Sequence, residues 1–146
     1  MRPKRAMEQD PKTAEEGFPR AQSAVPGKVG LARIAAAFWN SLRGLQEGLG
    51  TESAIKQEVA IACLLVPLSF FVAKDVWTWV ALIASLLFVL SVEFMNTAVE
   101  RLCNHIQPSK HEAIRITKDL ASAAVFFSLI LAALVWGAAL WARFVA

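Results

Sequence analysis

The chain has 146 residues, of which 56% are hydrophobic, and its 15 basic and 12 acidic residues give a formal net charge of +3. A charge this small gives no reason to expect a nucleic-acid partner, and soluble domains of this length rarely carry so many apolar residues in unbroken runs. Because a membrane-spanning helix needs about 20 apolar residues, the composition favours an all-α membrane protein with several spans and no separate soluble domain.

The chain begins with a polar segment and then changes to a helical pattern. Residues 1–28 carry both charges and no apolar core, so we predict a disordered cytoplasmic tail before a membrane domain over 29–146. From about residue 30 to residue 49, apolar residues recur at helical spacing with polar residues between them. This pattern predicts an amphipathic helix on the membrane surface. Thr51 is placed to cap the helix that follows.

Three apolar stretches follow, and each predicts a membrane-spanning helix. They cover about 54–73, 76–104 and 118–143. Before the third span, Ser109 and Glu112 have the spacing of a capping box, which predicts a helical turn that starts at Ser109.

The basic residues indicate how these spans are oriented. Nine of the 15 precede the first apolar run, which begins at Val59, and four more lie in 101–118. Cytoplasmic segments are enriched in lysine and arginine. We therefore predict that the N-terminus and residues 101–118 are cytoplasmic and that the C-terminus is periplasmic.

The end of the second span carries polar residues at a regular spacing. Glu93, Asn96 and Glu100 stand at positions i, i+3 and i+7, so they share one face of a helix. The two carboxylates would lie about 10 Å apart along the helix axis, one deep and one near the surface. Ionisable groups at membrane depth are costly and usually functional. We interpret this face as an active site at the membrane surface.

The residue types on this face suit phosphoryl transfer. Glu52 and Glu100 are surface-level carboxylates, which Mg²⁺ takes as ligands together with phosphate oxygens. Glu93 is deeper, where a carboxylate loses hydration and becomes a suitable proton acceptor. Lys118 and Arg33 can offset phosphate charge. The hypothesis is transfer from a metal–nucleotide complex to a lipid alcohol.

Other interpretations of the same residues stay open at this point. No GxxxxGK[ST] or GxGxxG motif occurs, so spacing alone favours a polar membrane site over a kinase. Glu93 could pair with a buried basic group or couple protons in a small transporter. Lys118 and Asp119 could form a salt bridge without a catalytic role. The chain could also be a non-enzymatic subunit of a membrane assembly.

Residues 93–100, Glu-Phe-Met-Asn-Thr-Ala-Val-Glu, resemble the motif of the prokaryotic diacylglycerol kinase family, which are small integral membrane lipid kinases. The chain departs from the family pattern at Cys103 and Asn104, where the family has valine and aspartate. Further matches extend over about residues 30–146. They include Glu52-Ser53-Ala54-x-x-Gln57-Glu58, Lys118-Asp119 and Ser122-Ala123-Ala124.

This resemblance implies a homotrimer with active sites shared between subunits. It implies ATP-dependent phosphorylation of 1,2-diacylglycerol to phosphatidic acid, with Mg²⁺, at the cytoplasmic face of a bacterial inner membrane. That reaction belongs to lipid recycling and phospholipid metabolism. Phosphorylation of undecaprenol, as in close relatives, is the alternative, although the pair Gln57-Glu58 resembles the diacylglycerol branch.

The resemblance also implies roles for individual residues. Glu93 would be the catalytic base, and Glu52 and Glu100 would bind the metal. The nucleotide site would consist of Arg33, Asn40, Glu52, Glu100, Ser109, Lys110, His111, Lys118 and Asp119. The lipid substrate would contact Arg33, Ala54, Gln57, Glu58, Glu93, Asn96 and Ser122.

Overall fold

The computed structural model describes residues 30–109 and 111–145, so the predicted tail 1–28 and the predicted nucleotide contact Lys110 lie outside the described residues. This part of the chain forms four α-helices. They are α1 (Leu31–Thr51), α2 (Ser53–Val72), α3 (Val76–Ile106) and α4 (Glu112–Phe144). Helices α2, α3 and α4 are each long and apolar enough to cross a membrane. The predicted all-α membrane fold, with one helix before three spans, is confirmed.

Contacts within the chain divide it into two units, Met1–Trp39 and Asn40–Ala146. The described part of the first unit contains the beginning of α1. There, Ile34, Phe38 and Trp39 each leave more than half of their surface exposed. Exposed apolar and aromatic side chains on an amphipathic helix are typical of a helix in the membrane interface.

The second unit is held together mainly by the packing of α3 along α4, with α2 packed against α3. Five of its buried apolar residues gather where the end of α2, the beginning of α3 and the end of α4 meet. This apolar cluster consists of Val72, Leu82, Leu86, Trp136 and Ala139. Most other large apolar side chains of the three spans face outward. Such exposure suits helices surrounded by lipid rather than by water.

Asp75 fixes the short turn between α2 and α3. Its carboxylate accepts hydrogen bonds from the backbone N–H groups of Trp77 (2.8 Å) and Thr78 (3.0 Å) and from the Thr78 hydroxyl (2.7 Å). The hydrogen bonds from Thr78, and then that from Trp77, lower the pKa of the Asp75 carboxyl. The turn therefore begins α3 with an ionised N-cap, which stabilises the helix start.

The junction between α1 and α2 differs from the prediction. Helix α1 continues through Gly48 and Gly50 and ends at Thr51. The Thr51 hydroxyl donates a hydrogen bond back to the carbonyl oxygen of Glu47 (2.9 Å). Glu52 is the N-cap of α2 and makes no side-chain capping hydrogen bond. The prediction that Thr51 caps α2 was wrong because its hydroxyl bonds to the preceding helical turn instead.

The start of α4 also corrects a prediction. The helix begins at Glu112, and its N-cap is His111, whose Nδ1 accepts a hydrogen bond from the backbone N–H of Ala113 (3.2 Å). Glu112 pairs with Arg115 at 2.6 Å, and the Ser109 hydroxyl accepts a hydrogen bond from Gln107 (2.6 Å). The predicted capping box from Ser109 to Glu112 was wrong because each side chain has a nearer partner.

Gly48 allows the end of α1 to approach α3 closely. A Cβ atom on this buried glycine would lie 2.6 Å from Cε1 of Phe94 and 2.9 Å from Cδ1 of Ile55. Both distances are too short for carbon atoms in contact, so only glycine fits without a shift of its neighbours. This contact sets the end of α1 beside the motif residue that follows Glu93.

Candidate active site

The motif residues of α3 differ in burial along one helix face. Glu93 is only 5% exposed, Asn96 is half-buried, and Glu100 is exposed. Helix α3 has 31 residues, or about 46 Å at 1.5 Å per residue, which exceeds the roughly 30 Å of a hydrocarbon core. A helix of this length can extend beyond the apolar layer, and its last turns carry Glu100. The face predicted from spacing leads from the protein interior at Glu93 to the protein surface at Glu100.

Glu93 and Glu100 stand on this face, and Glu52 and Glu58 at the beginning of α2 interact with Glu93. We call these four residues, Glu52, Glu58, Glu93 and Glu100, the carboxylate cluster. Glu93 interacts electrostatically with each of the other three, and Asn96 stands one helical turn from Glu93 on the same face. In residues 30–109 and 111–145, the salt bridges include Glu52 but not Glu58, Glu93 or Glu100. Like charges on the members without a salt bridge repel one another, which favours the binding of a cation.

Two members of the cluster, Glu52 and Glu100, have the donor chemistry of a divalent-metal ligand. Among the described residues, no group of three or more His, Cys, Asp and Glu side chains is arranged to hold a metal ion. The sequence predicts only two protein ligands, Glu52 and Glu100. Two carboxylate ligands with phosphate and water oxygens are typical of Mg²⁺ at phosphoryl-transfer sites. The hard oxygen donors of these two residues fit that requirement.

Two buried polar atoms beside Glu93 have no hydrogen-bond partner among the described residues. They are Oε2 of Glu58 and Oδ1 of Asn96. Buried polar atoms are almost always hydrogen-bonded in folded proteins, so each unpaired atom needs an explanation. A polar group of a bound substrate would supply that partner. Both residues belong to the predicted lipid-binding set.

Arg101 is the functional neighbour that the sequence reasoning missed. Its Nε and one terminal nitrogen donate to the same oxygen of Glu52, at 3.0 and 2.8 Å, and its other terminal nitrogen donates to Glu47 at 3.3 Å. It also donates to the Thr51 hydroxyl. The hydrogen bond from Arg101 lowers the pKa of the Glu52 carboxyl. The available signal was a basic residue directly after the second motif carboxylate.

A second polar region lies in a cleft of about 630 Å³ between the end of α3 and the beginning of α4. The cleft is lined by Asn104, Gln107, Pro108, Ser109, His111, Glu112, Ile114, Arg115 and Lys118. Its volume falls within the range of small-molecule sites, which is roughly 300–1,000 Å³. The structure thus brings together Ser109, His111 and Lys118 from the predicted nucleotide set.

Hydrogen bonds orient the charged residues at this cleft. The Lys118 ammonium donates to Oδ1 of Asn104 at 2.6 Å. Asp119 accepts from Arg115 at 2.5 Å. The alternative of a salt bridge between Lys118 and Asp119 is therefore wrong for the described structure, because each has a different partner. Arg115 was not predicted, although its position four residues before Asp119 is a recognised helical pairing distance.

Several predicted site residues are exposed and belong neither to the carboxylate cluster nor to the lining of the cleft. Asn40 is exposed on α1 and accepts a hydrogen bond from Arg43 at 2.5 Å. Ala54 and Gln57 are exposed at the beginning of α2, and Ser122 is exposed on α4. Arg33 is exposed on the part of α1 that belongs to the first unit.

Comparison with known proteins identifies the chain's relatives. The family model described as prokaryotic diacylglycerol kinase matches residues 39–140. The chain is 35% identical to a diacylglycerol kinase of Haemophilus influenzae over 112 residues, which cover 77% of this chain and 95% of that protein. It is 35% identical to a diacylglycerol kinase of Escherichia coli K12 over 79% of this chain and 94% of that protein. A diacylglycerol kinase of Helicobacter pylori is 33% identical, over 77% and 89%.

The family match covers α2 and α3, the end of α1 and most of α4, and therefore includes the carboxylate cluster and the cleft. The three apolar helices and the bacterial relatives indicate an inner-membrane protein. As a kinase of lipids, such an enzyme transfers a phosphoryl group from ATP, generally with a divalent metal. The chain belongs to the prokaryotic diacylglycerol kinase family.

Proposed function

We propose that this enzyme phosphorylates 1,2-diacylglycerol to phosphatidic acid, with ATP and Mg²⁺, at the cytoplasmic face of the inner membrane, as a step of lipid recycling. The relatives that it matches are named diacylglycerol kinases. One observation carries the proposal: a single face of α3 presents a buried carboxyl at Glu93 and a water-exposed carboxylate at Glu100. This arrangement suits a reaction between a lipid hydroxyl and a water-soluble phosphate donor.

In the proposed mechanism, the deep carboxyl handles the lipid. Glu93 orients the lipid hydroxyl and accepts its proton while that oxygen bonds to the γ-phosphorus and the bond to the β–γ bridging oxygen breaks. The unpaired oxygens of Glu58 and Asn96 are available to the glycerol part of the substrate. Ala54, Gln57 and Ser122 would complete the lipid contacts.

The surface residues of the site handle the nucleotide. Glu52 and Glu100 would hold Mg²⁺, which offsets phosphate charge during transfer. Lys118 is oriented by Asn104 in the cleft, where its ammonium can bind phosphate oxygens. Ser109, Lys110, His111 and Asp119 belong to the same proposed set. The described members Ser109, His111, Lys118 and Asp119 lie at one end of α3 and α4, which supports a single nucleotide site.

We also propose a homotrimer in which neighbouring subunits complete each site. Arg33, Asn40 and Ser122 are exposed, so a second chain can approach them. The outward apolar side chains of the three spans leave room for helix contacts between copies within the membrane. The distribution of basic residues supports a cytoplasmic N-terminus and a periplasmic C-terminus.

A phosphate-transfer assay tests the proposed reaction. Purified protein in detergent–lipid mixed micelles would receive Mg²⁺ and γ-labelled ATP, with diacylglycerol or undecaprenol offered separately. We expect labelled phosphatidic acid from the wild type and almost none from Glu93→Gln or Glu100→Gln. Asp75→Asn is the matched control, because this carboxylate caps the opposite end of α3. Preference for undecaprenol would reassign the substrate, and transfer to neither lipid by folded protein would refute the kinase proposal.

A further inference from the structure

The guanidinium of Arg101 is hydrogen-bonded to Glu52, one of the two proposed metal ligands. It binds Glu52 through two nitrogens, at 2.8 and 3.0 Å, and reaches Glu47 and Thr51 at the end of α1. In this arrangement Glu52 faces an arginine of its own chain. A divalent cation that used the same carboxylate oxygen would have to displace this contact.

The ion pair lies at an open surface. The side chains of Arg101 and Glu52 are 44% and 32% exposed, so water screens their attraction. Exposed ion pairs contribute little to folding stability and exchange partners readily. An exposed ion pair of this kind can exchange one partner for another. A structural ion pair would be expected to be buried, with the hydrogen bonds of both charged groups complete.

The chemistry of both groups indicates what each would bind after exchange. A guanidinium is a planar donor that binds phosphate oxygens through two parallel hydrogen bonds. A carboxylate released from it is free to bind a hard divalent cation. Arg101 directly follows Glu100, the second proposed metal ligand. Its contact with Glu52, the first proposed ligand, places the guanidinium beside the position where phosphate oxygens would meet the metal.

We infer that Arg101 is a nucleotide-binding residue that is held by Glu52 until the metal–nucleotide complex arrives. The complex takes Glu52 as a metal ligand, and Arg101 then turns from Glu52 to the phosphate oxygens. No covalent bond changes in this step. The inference rests on the proposed function, because it assumes that Glu52 binds the metal of a metal–nucleotide complex.

The inference predicts opposite changes in two affinities. Without nucleotide, Arg101→Gln removes the competitor of the metal, so Mn²⁺ should bind up to about fivefold more tightly. With saturating Mn²⁺, the same variant loses a charge-assisted contact to phosphate, so β,γ-methylene-ATP should bind roughly ten- to a hundredfold more weakly. Arg101→Lys keeps the charge but not the planar donor, so both of its affinities should fall between those of the wild type and Arg101→Gln.

Mn²⁺ binding can be followed by electron paramagnetic resonance of purified protein in mixed micelles, with thermal unfolding measured on the same samples. Arg143→Gln is the control for loss of one positive charge, because Arg143 lies at the opposite end of α4. The expected result is tighter Mn²⁺ binding with weaker nucleotide binding at unchanged unfolding temperature in Arg101→Gln.

Three results would overturn the inference. Unchanged or weaker Mn²⁺ binding together with lower stability would make Arg101 a structural anchor of the α1–α2 junction. Unchanged nucleotide binding would exclude the phosphate contact. A wild type that binds no Mn²⁺–nucleotide complex would overturn the proposed function as well. Binding by the wild type that is lost in Glu100→Gln supports the proposed function independently of how Arg101→Gln behaves.

Discussion

The two ends of the three spanning helices are built in opposite ways. At one end, the apolar cluster around Leu82 and Trp136 is buried, and Asp75 closes the turn with a complete set of hydrogen bonds. At the other end, the carboxylate cluster gathers like charges and leaves buried oxygens of Glu58 and Asn96 unpaired. The unpaired buried atoms of the apolar end are the neutral indole nitrogens of Trp79 and Trp136, whereas those of the polar end are oxygens that lie among like charges. The apolar end stabilises the fold, while the oxygens at the polar end are available to a ligand. Such local destabilisation is typical of functional sites.

The largest effect is expected at the polar end, for Glu93→Gln. Loss of a proton acceptor that touches the substrate lowers turnover by roughly a hundredfold to ten-thousandfold. The same change removes a buried charge from among like charges, so the free energy of unfolding should stay equal or rise. Initial rates of lipid phosphorylation and thermal unfolding in the same micelles measure both quantities. Full activity of the variant, or a clear loss of stability, would contradict this contrast between the ends.

At the apolar end, Leu82→Ala should reduce stability without affecting the chemistry. Leu82 is 0% exposed, and truncation of a buried leucine usually costs about 2–5 kcal/mol. Leu87→Ala is the matched control on the same helix, because Leu87 is 58% exposed. The free energy of unfolding, measured for both variants, should decrease strongly only for Leu82→Ala. The turnover number per folded molecule should remain that of the wild type. A lower turnover number would show that packing at the apolar end also affects catalysis at the polar end.

A smaller effect is expected at the cleft for Asn104→Ala. This change removes the hydrogen bond that orients the Lys118 ammonium. Hydrogen bonds to charged groups contribute about 1.5–3 kcal/mol, so the KM for ATP should rise by roughly tenfold or more while kcat changes little. Thr117→Ala is the control, since the Thr117 hydroxyl donates only to the Ala113 carbonyl in its own helix. An unchanged KM would separate Asn104 and Lys118 from the nucleotide site.

The smallest effect is expected for Gly48→Ala, which tests how the end of α1 is set beside the motif. The added methyl group overlaps Phe94 and Ile55, and overpacking costs typically about 1–3 kcal/mol, partly offset by about 1 kcal/mol from higher helix propensity. Gly50→Ala is the matched control, because a Cβ atom there meets no atom within 4 Å. The first change should lower the unfolding temperature and the second should raise it slightly. The same shift in both would rule out close packing at Gly48.

The helices were predictable because apolar runs and helical spacing are local signals. The same holds for the shared face of Glu93, Asn96 and Glu100, which depends only on the helical period. Contacts between helices were not predictable in this way. Arg101 is 49 residues from Glu52 along the chain, and no spacing rule relates the two.

The capping errors have a related cause. At Thr51 and Ser109, the residue types suited helix capping, but each hydroxyl has a nearer partner, the Glu47 carbonyl or the Gln107 amide. Competition between nearby hydrogen-bond partners is decided by the exact path of the backbone. Sequence patterns for caps do not contain that information.

The central claim is that, on one face of α3, Glu93 acts on the lipid and Glu100 binds the metal–nucleotide complex. Nucleotide binding by two variants tests this claim most directly. Binding of β,γ-methylene-ATP with Mn²⁺ would be measured for the wild type, Glu93→Gln and Glu100→Gln in mixed micelles. We predict that Glu93→Gln binds the complex like the wild type although it transfers phosphate at least roughly a hundredfold more slowly, and that Glu100→Gln loses metal-dependent binding. Equal binding by Glu100→Gln and the wild type would contradict the account.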